Sequence, residues 1–229
     1  SSDELSEVQL NDGRVLSTAT GVGRQPHDAV LTSSGTVVVT SEMGGGVVFV
    51  REGRVVGSLT AGPVQPGGVA AVGRYAAVAD VQGNGVWVYD GDTRQQVAQA
   101  PVGVKLTHAV GISGDLAAFA DTDGGAVLID RVDPQITQVT KVDAPGNPYG
   151  LAYDAQRRRL FVTLTASNLL RVVDLADPAK PRTLGDVPTV RQPNSVAVEP
   201  RSGAVLVTGS GPAGKGSLQI VTPDLLPTP

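Results

Sequence analysis

The sequence predicts an all-β fold, a β-propeller of five four-stranded blades whose closing blade is shared between the N- and C-termini. Three observations predict it: a motif of roughly 40 residues recurs five times, the apolar residues are strand formers, and turn residues punctuate the whole chain. Of 229 residues, 41% are hydrophobic but only 3% aromatic, so Val, Ala and Leu supply the core. The 29 glycines and 16 prolines require many tight connections. All-β domains often reach this length as one unit, so residues 1–229 are expected to form a single domain.

The motif is Pro, two variable residues, three mostly apolar residues, a turn and a second apolar run. Pro26-His27-Asp28-Ala29-Val30-Leu31 leads to Val37-Val38-Val39-Thr40, and Pro66-Gly67-Gly68-Val69-Ala70-Ala71 to Ala76-Ala77-Val78-Ala79. Thr107-His108-Ala109-Val110-Gly111-Ile112 leads to Ala117-Ala118-Phe119-Ala120. Pro148-Tyr149-Gly150-Leu151-Ala152-Tyr153 leads to Leu160-Phe161-Val162-Thr163, and Pro193-Asn194-Ser195-Val196-Ala197-Val198 to Val205-Leu206-Val207-Thr208. The markers Ala29, Val69, Val110, Leu151 and Val196 are spaced by 40, 41, 41 and 45 residues, the length of a propeller blade. The expected repeats are 26–65, 66–106, 107–147, 148–192 and 193–229, the last closed by 6–20. Each copy continues into a third strand, in three cases ending in Asp90, Asp130 or Asp174, and then into a more polar fourth strand.

The ends of the chain bear on closure. The last repeat runs into Asp224-Leu225-Leu226-Pro227-Thr228-Pro229, too proline-rich for a ladder strand. Val8 to Ser17 reads like Val48 to Gly57, a third and a fourth strand without a first half. Joining residues 14–20 to the last repeat would remove exposed sheet edges. That leaves Glu7-Val8-Gln9-Leu10 as a surplus strand, so six blades with one incomplete is the alternative.

A net charge of -4 with no cationic cluster argues against nucleic acid, whose phosphates need a basic face. Arg157-Arg158-Arg159 reads as a solvated hairpin turn. No apolar run is long enough to span a bilayer, and a monomer is expected. The chain opens at Ser1 without a leader, which suggests a trimmed form. It has no cysteine, so disulfides, thiolate zinc sites and cysteine nucleophiles are excluded.

The Pro motif, the Val-Val-Val-Thr and Leu-Phe-Val-Thr runs and the Gly or Asn turns resemble the YVTN-repeat β-propellers of the YncE-like group. The resemblance covers nearly the whole chain, and it implies a fold more than a chemistry. It implies an extracytoplasmic location, secreted, periplasmic or attached to the bacterial cell envelope. The group includes surface antigens, binding proteins and lactonase-like members. This chain departs from the pattern in its short turns Val72 to Tyr75 and Ser113 to Leu116, and in having fewer blades.

The residue after the motif's Pro position starts the innermost strand, so His27, Gly67, His108, Tyr149 and Asn194 are expected to ring one mouth of the channel. Both histidines of the chain fall there. His27, Asp28, His108, Tyr149 and Asn194 are therefore the candidate ligand-binding residues. His27, His108 and Asp28 offer nitrogen and oxygen donors for a possible divalent metal. The alternative is that they bond to rim backbone. A second ring, Ser41, Glu42, Asp80, Asp121 and Asp123, lies in loops that resemble calcium loops superficially; Asp before Gly also favours turns for backbone reasons. Gly209 to Ser217 has a phosphate-loop composition but leads into a strand instead of a helix. No serine sits in an elbow motif. The expected function is a non-enzymatic envelope binding or scaffold protein for a protein or small ligand, with no resident cofactor. A metal-assisted lactonase-type hydrolase or a metal-delivery protein with a site at the channel mouth is the alternative.

Overall fold

The computed structural model describes residues 3–133, 135–211 and 214–228. Short apolar runs broken by Gly, Asn and Asp turns fold into antiparallel sheets, and no α-helix occurs among the described residues. β1 (Glu4–Val8) and β2 (Val15–Thr20) form a two-stranded sheet. β3 (Pro26–Leu31), β4 (Val37–Ser41), β5 (Val47–Arg51) and β6 (Arg54–Leu59) form the next, and β7 (Pro66–Val72), β8 (Tyr75–Asp80), β9 (Gly85–Asp90) and β10 (Gln95–Pro101) another. β11 (Leu106–Gly111), β12 (Leu116–Asp121), β13 (Ala126–Arg131) and β14 (Thr137–Asp143) follow, then β15 (Pro148–Asp154), β16 (Arg159–Leu164), β17 (Leu169–Asp174) and β18 (Arg182–Pro188). β19 (Arg191–Val198), β20 (Val205–Ser210) and β21 (Gly216–Val221) complete the strands. The strands within each sheet pair in chain order, as in propeller blades.

Among the described residues the sheets number six, the alternative count, and the shared closing blade is not formed. β2 pairs with β1 instead, Leu5 opposite Ala19, and β19–β21 remain a sheet of three. The physical reason lies in the hairpin's apolar face. Leu5 and Ala19 pack with Val22 against Val39, Val48 and Val50, so the segment that looked surplus is the partner that buries β2.

The chain divides into two compact units, one holding β1–β10 and the other β11–β21. In the first, alternation along β5 sends Val48 and Val50 to the hairpin and Val47 and Phe49 to the neighbouring sheet. Phe49 meets the edge of Tyr89 there at 6.3 Å between ring centroids. In the second, Val127 and Ile129 of β13 pack with Leu160, Val162 and Val173, while Leu170 and Val172 of β17 pack with Val205, Val207 and Val221. Inner strands buried on both faces read as continuous apolar runs. The outer strands β6, β10, β14 and β18 alternate and stay mostly exposed.

Candidate functional site

In the five sheets that follow the β1–β2 hairpin, the first strand carries a register shift just after its start. The shifts fall between Pro26 and Ala29, Pro66 and Val69, Leu106 and Ala109, Pro148 and Leu151, and Arg191 and Ser195. A bulge frees residues from the ladder and re-aims their side chains. The candidate ligand residues all lie in these bulges. The ladder also corrects one alignment. Ala29, Val69, Ala109, Leu151 and Val196 face Val39, Val78, Phe119, Val162 and Val207, so the third marker is Ala109 and not Val110. The first bulge position is thus held by His27, Gly67, Thr107, Tyr149 and Asn194, and the second by Asp28, Gly68, His108 and Gly150, while in the last sheet Ser195 already pairs with Thr208. His108 shares the position of Asp28, not that of His27.

Asp28 is committed to backbone. Its Oδ1 accepts from the Ala29 amide at 2.8 Å and its Oδ2 from the Val69 amide of the neighbouring sheet at 3.0 Å. The Asp28 amide donates to Thr40 Oγ1 at 3.0 Å. Burial pushes the Asp28 carboxyl up from its ordinary range, opposed by the two amides and by His27. Thr163 repeats the Thr40 device, accepting from the Gly150 amide at 2.8 Å.

In the second unit, the half-buried His108 ring lies against Tyr149 of the neighbouring sheet, 4.4 Å between centroids and tilted by 52°. The hydroxyls beneath are locked in a chain. Thr122 donates to the Pro148 carbonyl at 2.7 Å, which leaves Thr107 to donate to Thr122 at 2.8 Å. Thr165 donates to the Pro193 carbonyl at 2.7 Å in the same way. His27 and Asn194 are exposed.

The second set of carboxylates also holds backbone. Asp80 accepts from the amides of Val64, Gln65 and Gly83 at 3.1, 3.2 and 3.0 Å. Asp121 accepts from Val104, Lys105 and Gly124 at 3.0, 2.8 and 3.2 Å. Ser41 plays the part in the first full repeat, accepting from the Arg24 amide at 2.9 Å. Asp80 and Asp121 clip the strand-linking loop to their own hairpin turn, while the Ser41 hydroxyl holds the linking segment at the Arg24 amide and carbonyl. The Gly three residues later is obligatory, because a Cβ at Gly44, Gly83 or Gly124 would collide with the clamping side chain. These loops are clamps, which explains their Asp-to-Gly spacing without a cation. Glu42 accepts from Gln65 Nε2 at 3.0 Å, and Asp123 makes an exposed ion pair with Lys105 at 3.7 Å. No three His, Asp or Glu side chains among the described residues converge in a metal-ligand cluster.

Two features lay outside the sequence reading. Asp130 faces Ala117 in the ladder, as Tyr89 faces Ala76 and Val173 faces Leu160, so it fills an apolar core position one residue before that of Asp90 and Asp174. It is fully buried and neither carboxylate oxygen has a hydrogen-bond partner. Burial pushes it up to about 6. The offset between Ile129-Asp130 and Tyr89-Asp90 was the available signal. The other feature is a cavity of about 380 Å³ between the β1–β2 hairpin and β3–β6, walled by Leu5, Ala19, Val37 and Val50 with Glu7 and Glu52 at its lining. It depends on the seating of that hairpin against β3–β6, which the repeat pattern did not predict. The Gly209 to Ser217 segment joins β20 to β21, with Pro212 and Ala213 outside the described residues.

No protein-family model and no curated protein matches the chain. Solved structures share its fold at low identity. A functionally unknown protein from Desulfotomaculum acetoxidans superposes with a TM-score of 0.77 at 17% identity, covering 96% of this chain and 76% of that one. A putative 6-phosphogluconolactonase from Bacteroides fragilis gives 0.72 at 14%, covering 96% and 77%. The WD40 repeats of RRP9 give 0.74 at 14%, covering 90% and 66%. At such identities the likeness shows a β-propeller fold and carries no activity across.

Proposed function

We propose that the chain is a non-enzymatic binding or scaffold protein of the YVTN-repeat type, working outside the cytoplasm at the bacterial cell envelope. It holds a protein or small ligand at the bulged starts of its first strands. The observation that carries this reading is the His108–Tyr149 pair, 4.4 Å apart on neighbouring strands. The pair is half-buried and mounted on a hydroxyl chain that fixes the backbone below it. Such a platform is preorganised for contact. The carboxylates at the strand starts and hairpin turns disfavour catalysis, because Asp28, Asp80 and Asp121 are each held by two or more backbone amides and are stabilised as structural acceptors.

The test is capture from bacterial envelope extracts with the intact chain and with a His108→Ala, Tyr149→Ala variant of unchanged circular dichroism. A partner retained by the first and lost by the second supports the reading. Elemental analysis runs in parallel on the intact chain and on a His27→Ala, His108→Ala variant. A stoichiometric divalent metal that disappears in that variant, together with lactone hydrolysis, would replace the binding reading with the lactonase-type hydrolase.

A further inference from the structure

We propose that the cavity between the β1–β2 hairpin and the β3–β6 sheet is a second binding site, for an organic cation: a compact apolar body carrying one protonated amine held between Glu7 and Glu52. Its volume of about 380 Å³ is that of a small-molecule site. All of its walls belong to the unit that holds β1–β10.

The cavity arises from two departures from the repeat. Glu7 faces Ser17 beside the register shift of its hairpin, as Phe49 faces Gly57, Val88 faces Ala98, Ile129 faces Thr140 and Val172 faces Gly185. Those four counterparts are 0% exposed, so this is an apolar core position in every four-stranded sheet. A side chain here points at the following sheet, where Phe49 meets the Tyr89 ring. Val50 holds the Tyr89 position one sheet earlier, since Val37 faces Val50 as Ala76 faces Tyr89. Between the hairpin and β3–β6 the ring pair is thus replaced by a carboxylate and a valine, and the unfilled volume is the cavity. A charged residue at a core position gives up apolar burial, and such a conflict between residue and fold marks a functional site.

The lining fits an amine with an apolar body. Leu31, Val37 and Val50 stand side by side on three paired strands, and Leu5 and Ala19 supply the opposite wall. Leu31 is 65% exposed, an aliphatic side chain that the fold itself leaves uncovered. Ser17 Oγ donates to Glu7 Oε2 at 3.2 Å and orients that carboxylate, while Glu52 enters the lining from the β5–β6 turn. Neither carboxylate is in an ion pair with Lys or Arg among the described residues, and the guanidinium of the adjacent Arg51 donates to the Ser34 carbonyl. Two unpaired carboxylates above an apolar floor attract a cation and repel an anion of the same shape.

The experiment is isothermal titration calorimetry of the intact chain with hexylamine, hexanoate and hexanol at equal ionic strength, from about 0.1 to about 20 mM. Hexylamine is expected to bind, and the other two to bind at least about tenfold more weakly. Glu7→Gln and Glu52→Gln should each weaken hexylamine about tenfold, whereas Glu4→Gln, exposed on the same strand and outside the lining, should leave it unchanged. Glu7→Phe restores the residue that the next sheet carries, so it should abolish binding and raise the thermal midpoint together. The methyl resonances of Val37 and Val50 should shift as hexylamine is added to the intact chain. No binding of hexylamine at about 20 mM, equal binding of hexylamine and hexanol, or binding that survives both Glu→Gln changes or Glu7→Phe overturns the proposal.

Discussion

The Asp28 carboxylate and the Val69 amide meet at 3.0 Å across two neighbouring sheets, in the first strand of each. A residue that the sequence offers as a metal ligand is a staple between β3 and β7. Replacing it by Ala removes an acceptor for two amides and leaves the Val69 amide without one, a loss of about 2–3 kcal/mol. Asn keeps one acceptor and relieves the burial of charge that raises the Asp28 carboxyl, so Asp28→Asn is expected to lose less than Asp28→Ala. Urea unfolding of the two variants checks the order; equal losses would mean that the staple contributes nothing specific.

The Asp121 clamp makes a different kind of prediction, one about coupling. Asp121→Ala strips three amides of their acceptor and is expected to destabilise by about 3 kcal/mol. Gly124→Ala drives a methyl group into the same carboxylate and should cost about 2 kcal/mol alone. Once the carboxylate is gone the methyl group has room, so the double variant should be no less stable than Asp121→Ala by itself. Additive losses in a double-mutant cycle would show that Gly124 serves the turn for another reason.

The repeat was legible because both faces of the inner strands are buried, which writes continuous apolar runs such as Val37-Val38-Val39 and Leu160-Phe161-Val162 into the sequence. The bulge positions were legible too, since Pro26, Pro66 and Pro148 mark the strand starts that precede them. The register inside a bulge was not. Leu106 replaces Pro at the third strand start, which slid His108 by one residue and paired it with the wrong counterpart. Nor could a pattern of Asp before Gly distinguish a cation loop from a backbone clamp, because both present carboxylate oxygens to a tight turn. The pairing of β1 with β2 was legible in the match of Val8 to Ser17 with the β5–β6 hairpin, but its seating on β3–β6, which puts Ala19 and Val39 in one cluster, is encoded by no local pattern.

Arg157 lies in the basic hairpin turn expected from the sequence, and it does more than face solvent. Its guanidinium meets Asp154 at 2.9 Å and the carbonyls of Pro200 and Arg201 at 3.4 Å, joining the β15–β16 turn to the β19–β20 turn. The planar fork serves two turns at once, which an ammonium does not. Arg157→Ala is expected to lose about 1–2 kcal/mol in chemical denaturation, with Arg157→Lys recovering less than half of it. Full recovery by Lys would reduce the contact to simple charge.

Asp130 gives stability a pH dependence of unusual sign. Its folded-state value of about 6 stands above the ordinary 3.8, and burial without a hydrogen-bond partner is the cause. A raised carboxyl means that the folded protein binds more protons than the unfolded chain between those two values. The contribution is therefore intact below about pH 4 and is lost as pH rises through about 6, leaving a penalty of about 3 kcal/mol at pH 8. Asp130→Asn has a similar shape and no charge to bury, so the variant should equal the wild type near pH 4 and exceed its stability by up to about 3 kcal/mol at pH 8. Taking the difference between the two proteins at each pH cancels the titration of every other group. A difference that stays flat from pH 4 to pH 8 would mean that Asp130 is already solvated or paired, and would remove it from the core position that Tyr89 and Val173 hold in their own sheets.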